Sequence, residues 1–133
     1  MTVTTRTDAE VVISIARDAA LVRTARLVAA AVARRSELPG ALIEEVRLGV
    51  GEACAILIGT STPHTPRSSD MVEVSMRSGP SGFTVEIHGG YETPEGDLEE
   101  LGIDPWALLR GVTDDVDVEV EDHRATVVMR WPT

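Results

Sequence analysis

Residue types able to do chemistry are few in this chain, and most of them are scattered. Glu52 stands in the run Val46-Arg47-Leu48-Gly49-Val50-Gly51-Glu52-Ala53-Cys54-Ala55-Ile56, a carboxylate among small and apolar residues, with Ile56 one helical turn further on. A carboxylate so placed is either a general base for a hydroxyl or water or a helix-surface acid with no chemical task. His64, His88 and His123 are too dispersed to argue for a metal site, and His64, between Pro63 and Thr65, reads as a loop residue. Cys54 has nothing near it at metal-ligand spacing and reads as a small buried hydrophobe. A single cysteine makes no internal disulfide, which points to a reduced, cytoplasmic setting.

The chain has 133 residues, 43% of them hydrophobic. That is enough for one domain that buries about two-thirds of its unfolded surface. Residues 1–9, threonine-rich and without an apolar stretch of signal-peptide length, read as a flexible N-terminus, and 10–133 as the domain. The most apolar region, 42–58, is interrupted by Glu44, Glu45, Arg47 and Glu52, which excludes a membrane span. The net charge of −10 is unevenly placed: 1–52 holds seven acids and seven arginines, whereas 86–122 holds thirteen acids and Arg110 alone. Nucleic acid is disfavoured as a partner, because phosphate binding draws on clustered cations. The acidic stretch is a solvated surface or a field that steers a basic protein.

Residues 10–17 alternate Val11, Ile13 and Ile15 with polar or small neighbours, predicting a strand. Asp18 can cap a helix over 20–35 whose apolar stripe is Leu21, Ala25, Val28, Ala29 and Val32, with Arg23, Arg26, Arg34 and Arg35 off it. Pro39 and Gly40 break the chain before a second helix over 41–59. A Pro, Ser and Thr-rich loop over 60–70 leads to a hairpin of 71–77 and 83–88. After an irregular acidic stretch over 89–105 come a short helix over 106–114 with Pro105 in its first turn, and a second hairpin turning at Glu121-Asp122-His123. The order β-α-α-β-β-α-β-β predicts an α+β fold: a two-layer α/β sandwich with helices on one face of a mixed, mostly antiparallel sheet.

Three segments carry a resemblance to a known family. The run over 46–56 resembles the "N box" helix of GHKL-type ATP-binding proteins, most closely the anti-sigma factor kinases of the RsbW and SpoIIAB kind. Leu21-Val22-Arg23-Thr24-Ala25-Arg26 is similar to the opening of that family's first helix, and Thr113-Asp114-Asp115-Val116-Asp117-Val118 to its closing strand. The resemblance spans about residues 12–130 and implies the Bergerat, histidine-kinase-like ATPase fold. It also implies that Glu52 matches the catalytic base, that position 56 matches an Asn that coordinates the magnesium of ATP, and that Arg23, with Arg26 beside it, contacts protein partners.

Measured against that family, the nucleotide motifs are degenerate. Ile56 offers no oxygen to Mg²⁺, which requires near-octahedral oxygen ligands. The Asp-x-Gly-x-Gly adenine motif falls on His88-Gly89-Gly90, with His88 in the Asp slot, where an imidazole accepts one hydrogen bond at most. The phosphate-cradling glycines fall on Ile103, Asp104, Pro105 and Trp106, where Pro105 has no amide hydrogen and Asp104 adds negative charge. The segment between carries Glu92, Glu95, Asp97, Glu99 and Glu100 without a base. Each contact with a triphosphate oxygen there would cost about 4 kcal/mol at an effective dielectric near 20.

The resemblance therefore implies an anti-sigma factor of the degenerate, actinobacterial type, a cytoplasmic pseudo-kinase in stress-response transcription. It would bind a sigma factor as a homodimer and be released by a STAS-domain anti-anti-sigma partner, using no cofactor. The alternative is an active serine/threonine kinase that phosphorylates the anti-anti-sigma factor with ATP, magnesium and Glu52. A third reading is an adaptor for some other protein or small ligand, since fold alone does not set function.

Overall fold

The structure is a computed structural model that describes residues 1–5, 10–59, 71–91, 102 and 104–132. The predicted loop over 60–70 and most of the acidic stretch, 92–101 and 103, lie outside the described residues. The described elements are β1 (Thr2–Thr5), β2 (Glu10–Ile15), α1 (Ala20–Arg35), α2 (Gly40–Gly59), β3 (Val72–Gly79), β4 (Gly82–Gly90), α3 (Ala107–Val112), β5 (Val116–Glu121) and β6 (Arg124–Pro132). The strands form one sheet in the order β1-β2-β3-β4-β6-β5. Every described pairing is antiparallel, so the parallel component that "mixed" implies is not seen among them.

Alternation within the strands decides which face meets the helices. Ile13 and Ile15 of β2, Val74 and Met76 of β3, Val85 and Ile87 of β4, and Val127 and Met129 of β6 are fully buried. Their neighbours Glu73, Ser75, Glu86, His88, Thr126 and Val128 are half-buried and share the other, open face by register. Helix α1 packs over β2 and β3, α2 over β3, β4 and β6, and α3 against α2. This is one helical layer on one sheet face, the arrangement expected when antiparallel strands alternate apolar and polar residues.

Glycines allow α2 to sit close on two sides. A Cβ at Gly49 would lie 2.8 Å from the sulfur of Met129 on β6, and one at Gly51 would lie 2.6 Å from Cδ of Arg26 on α1. Two residues apart on a helix is more than half a turn, so the two bare positions face different neighbours. At the far end of the sheet, the Trp131 indole N–H donates to Glu45 of α2 at 3.3 Å.

Helix ends follow local chemistry. Asp18 accepts the Ala20 amide at 2.9 Å through its side chain and the Leu21 amide through its carbonyl, one residue before the N-cap, Ala19. Helix α1 closes in a Schellman arrangement: the Leu38 amide donates to Ala33 and the Glu37 amide to Arg34, with Leu38 buried. The turn places Glu37 at φ 61°, a position that favours glycine.

One element was not expected from the pattern. Thr2–Thr5, assigned to the flexible N-terminus, pairs with β2 in the register Thr2↔Ser14 to Thr5↔Val11. A single apolar residue, Val3, among threonines leaves no readable alternation, although both residue types favour strands.

Two substitutions in turns should move stability in opposite directions in urea denaturation. Glu37→Gly relieves a positive φ and should stabilise by roughly 0.5–1 kcal/mol. Gly82 has φ 133°, and a Cβ there would lie 2.2 Å from the Trp131 carbonyl oxygen. Gly82→Ala should therefore cost about 2 kcal/mol or more.

Candidate functional site

Helix α2 carries the residues of chemical interest. Val46, Val50, Ala53, Cys54 and Leu57 are fully buried, which leaves Glu52 and Ile56 half-buried at the margin of that stripe. The two side chains lie one turn apart on one helix face, so Glu52 has a hydrocarbon neighbour where an oxygen ligand would have to stand. Beside them, burial pushes the Cys54 thiol up from 9.0 to about 12.

His88 is on the far side of the sheet. Its neighbours Ile87 and Gly89 point toward the helices, whereas its own ring lies on the open face, where Nε2 meets Glu73 Oε1 at 3.1 Å. The sheet thus separates His88 from Glu52 and Ile56. The residue of β4 that faces the helices at this point is Gly89, which is buried.

A residue that sequence reasoning passed over holds this end of the molecule together. Arg17, in the link from β2 to α1, donates Nη1–H to the Leu57 carbonyl at 2.6 Å and Nη2–H to the Gly90 carbonyl at 2.5 Å. Leu57 lies in the last turn of α2, where carbonyls run out of intrahelical donors and attract cations. A Cβ on Gly89 would lie 3.4 Å from the same Nη2, so the guanidinium rests against bare backbone. Of the predicted slots, Gly90 alone takes part, through its carbonyl.

Beyond β4 the chain turns in with Tyr91, whose amide donates to the His123 carbonyl at 2.8 Å. Its ring packs on Trp106 with centroids 5.2 Å apart, both side chains buried. Burial pushes the Tyr91 phenol up, a hydrogen bond with Trp106 works against that, and the Asp104 charge adds to it. Asp104 accepts the Trp106 amide at 2.9 Å and pairs with Arg110 of α3. The backbone donor at the entry to α3 is therefore taken by a carboxylate of the chain itself.

On α1, Arg23 is exposed. Arg26 is half-buried, its stem laid across Gly51. Arg26 lies off the apolar stripe of α1, and the missing side chain at position 51 opens the groove that takes its stem. Leu27 and Leu48, both about half exposed, are the large apolar residues that α1 and α2 leave open to solvent.

On the open face, Arg130 joins Asp117 at 2.9 Å and Asp115 at 3.1 Å, and these hydrogen bonds raise its already high pKa. The partners are exposed enough that the cluster contributes little to stability. Among the described residues, no three His, Cys, Asp or Glu side chains come together as a metal site. No described helix is long and apolar enough to cross a membrane.

A family model described as a histidine kinase-like ATPase domain matches residues 15–131, nearly the whole chain. The chain belongs to the histidine kinase-like ATPase domain family. No curated protein matches it. The α+β layering with an antiparallel sheet is the fold of that family.

The thiol gives a direct check on α2. Its folded pKa lies above the unfolded value, so the stability linked to the buried thiol is fully present below about pH 9.0 and is lost as the pH rises toward about 12. At pH 8 a thiol reagent should label Cys54 at the rate of global unfolding. Rapid labelling of the native protein would show that α2 is not packed as described.

Proposed function

We propose that this histidine kinase-like ATPase domain is a regulatory binding protein that does not turn over ATP. In this reading it is anti-sigma-factor-like: it holds a sigma factor and is released by a STAS-domain anti-anti-sigma partner. The observation that carries the non-catalytic part is the self-satisfaction of backbone groups, with Arg17 on Leu57 and Gly90, and Asp104 on Trp106. A triphosphate at the entry to α3 would have to displace Asp104 from the Trp106 amide, and Ile56 would offer the metal nothing. These residues do not fit the Mg-ATP that the family implies, so no catalytic step is assigned to it.

The partner-binding part draws on the resemblance of α1 and on what that helix exposes. Arg23 and Leu27, one turn apart and both exposed, offer a cation beside an apolar side chain. An acidic and apolar protein segment complements such a pair. A homodimer in the cytoplasm belongs to the same proposal.

The kinase alternative has one observation in its favour, the survival of Glu52 in a half-buried position on α2. Thermal shift separates the readings. A ligand at 100 times its dissociation constant adds about 2.7 kcal/mol, which raises the melting temperature of a domain of this size by several degrees. Millimolar Mg-ATP is expected to leave the melting temperature unmoved, while a sigma factor or STAS protein co-purifies from the native cell. A clear shift together with phosphate transfer to a STAS protein would establish the kinase instead. Arg23→Glu should weaken capture of the sigma factor by roughly tenfold or more. Equal capture by the variant would remove Arg23 from the interface.

A further inference from the structure

We infer that the Leu57 and Gly90 carbonyls form a guanidinium site whose resident ligand is Arg17. The site joins three parts of the chain that are distant in sequence: the β2–α1 link, the end of α2 forty residues on, and the end of β4 seventy-three residues on. Two nitrogens of one planar group reach two carbonyls at 2.6 and 2.5 Å. Charge-assisted hydrogen bonds of this kind are the strong ones, and a planar fork loses little freedom in making them.

The surroundings suit a flat cation. Gly89 faces the guanidinium with no side chain, and the negative end of the α2 dipole adds to the attraction. Both of these hydrogen bonds come from the head group, which the stem delivers. A free guanidinium ion should therefore take the same place once the arginine side chain is removed.

The chemistry also selects against a nucleobase. Both carbonyls accept, so a replacement must present two N–H donors on one edge. Guanidinium and amidinium ions do. The adenine edge sets its amino donor beside a ring nitrogen acceptor, which would leave one carbonyl facing a lone pair. The inference does not depend on the partner assigned above. It concerns what fixes the end of α2, and with it Glu52 and Ile56, over the sheet.

Chemical rescue tests it. Arg17→Ala should lower the melting temperature by roughly 5–10 °C. Methylguanidinium at tens of millimolar should restore a substantial part of that loss while giving no rise in the wild-type protein. Tetramethylammonium at equal ionic strength, urea and adenosine should restore none. Arg17→Lys keeps the charge but lacks the fork, so it should melt between the two and show no rescue. Should Arg17→Ala fail to fold alone, its refolding yield with methylguanidinium, compared with the salt control, gives the same answer. An unchanged melting temperature in Arg17→Ala, or recovery no greater than with tetramethylammonium, would overturn the inference.

Discussion

Helix α2 lies against the sheet and against α1 at once because Gly49 and Gly51 have no side chains on the two contact sides. Everything else in the helical layer is arranged around that close approach. Val46, Val50, Ala53 and Leu57 reach the sheet because the backbone is near enough, and each of the larger ones contributes about 1.5–3 kcal/mol by leaving water. The Arg26 stem fills the groove above Gly51, and the residue as a whole is half-buried. A helix held this tightly has little freedom to adjust its end, and Arg17 removes most of what remains by tying Leu57 to Gly90.

The same packing limits the chemistry open to the fold. A base on α2 needs a substrate held beside it. Ile56 contributes packing where a metal ligand would contribute oxygen. Asp104 binds the amide at the start of α3, so the chain supplies its own anion there. Arg17 does the corresponding work for a cation at the ends of α2 and β4. Groups attached to the chain cost less entropy to bring to such positions than a free ligand would.

Much of this fold was legible because its periodicities are strong and its breaks are chemical. The first helix was expected over 20–35 and is observed as Ala20–Arg35, since alternation stops at Ile15, Asp18 offers a cap, and Pro39-Gly40 forces the exit. The hairpins were expected from their alternation and turn residues, and both are present as β3–β4 and β5–β6. The side of the sheet on which His88 falls was not legible in the motif count. Pairing Glu73 with His88 across β3 and β4 requires the register, which local sequence does not state. The described bonds of Arg17 were invisible for a related reason, because they go to backbone carbonyls far along the chain, and carbonyls have no sequence signature. The packing of the Arg26 stem on Gly51 was not legible either, because a stripe drawn on one helix takes no account of a glycine on its neighbour.

Hydrogen exchange at the last turn of α2 tests most directly whether the chain holds this end of the helix in place without nucleotide. Backbone amides of Leu57 and Ile58 in the full-length protein would be followed with and without saturating Mg-ATP. With Arg17 tying the end of α2 to β4, their protection should approach that of the buried core strands and stay the same when nucleotide is added. Weak protection in the free protein that rises sharply with Mg-ATP would mean that nucleotide completes the fold.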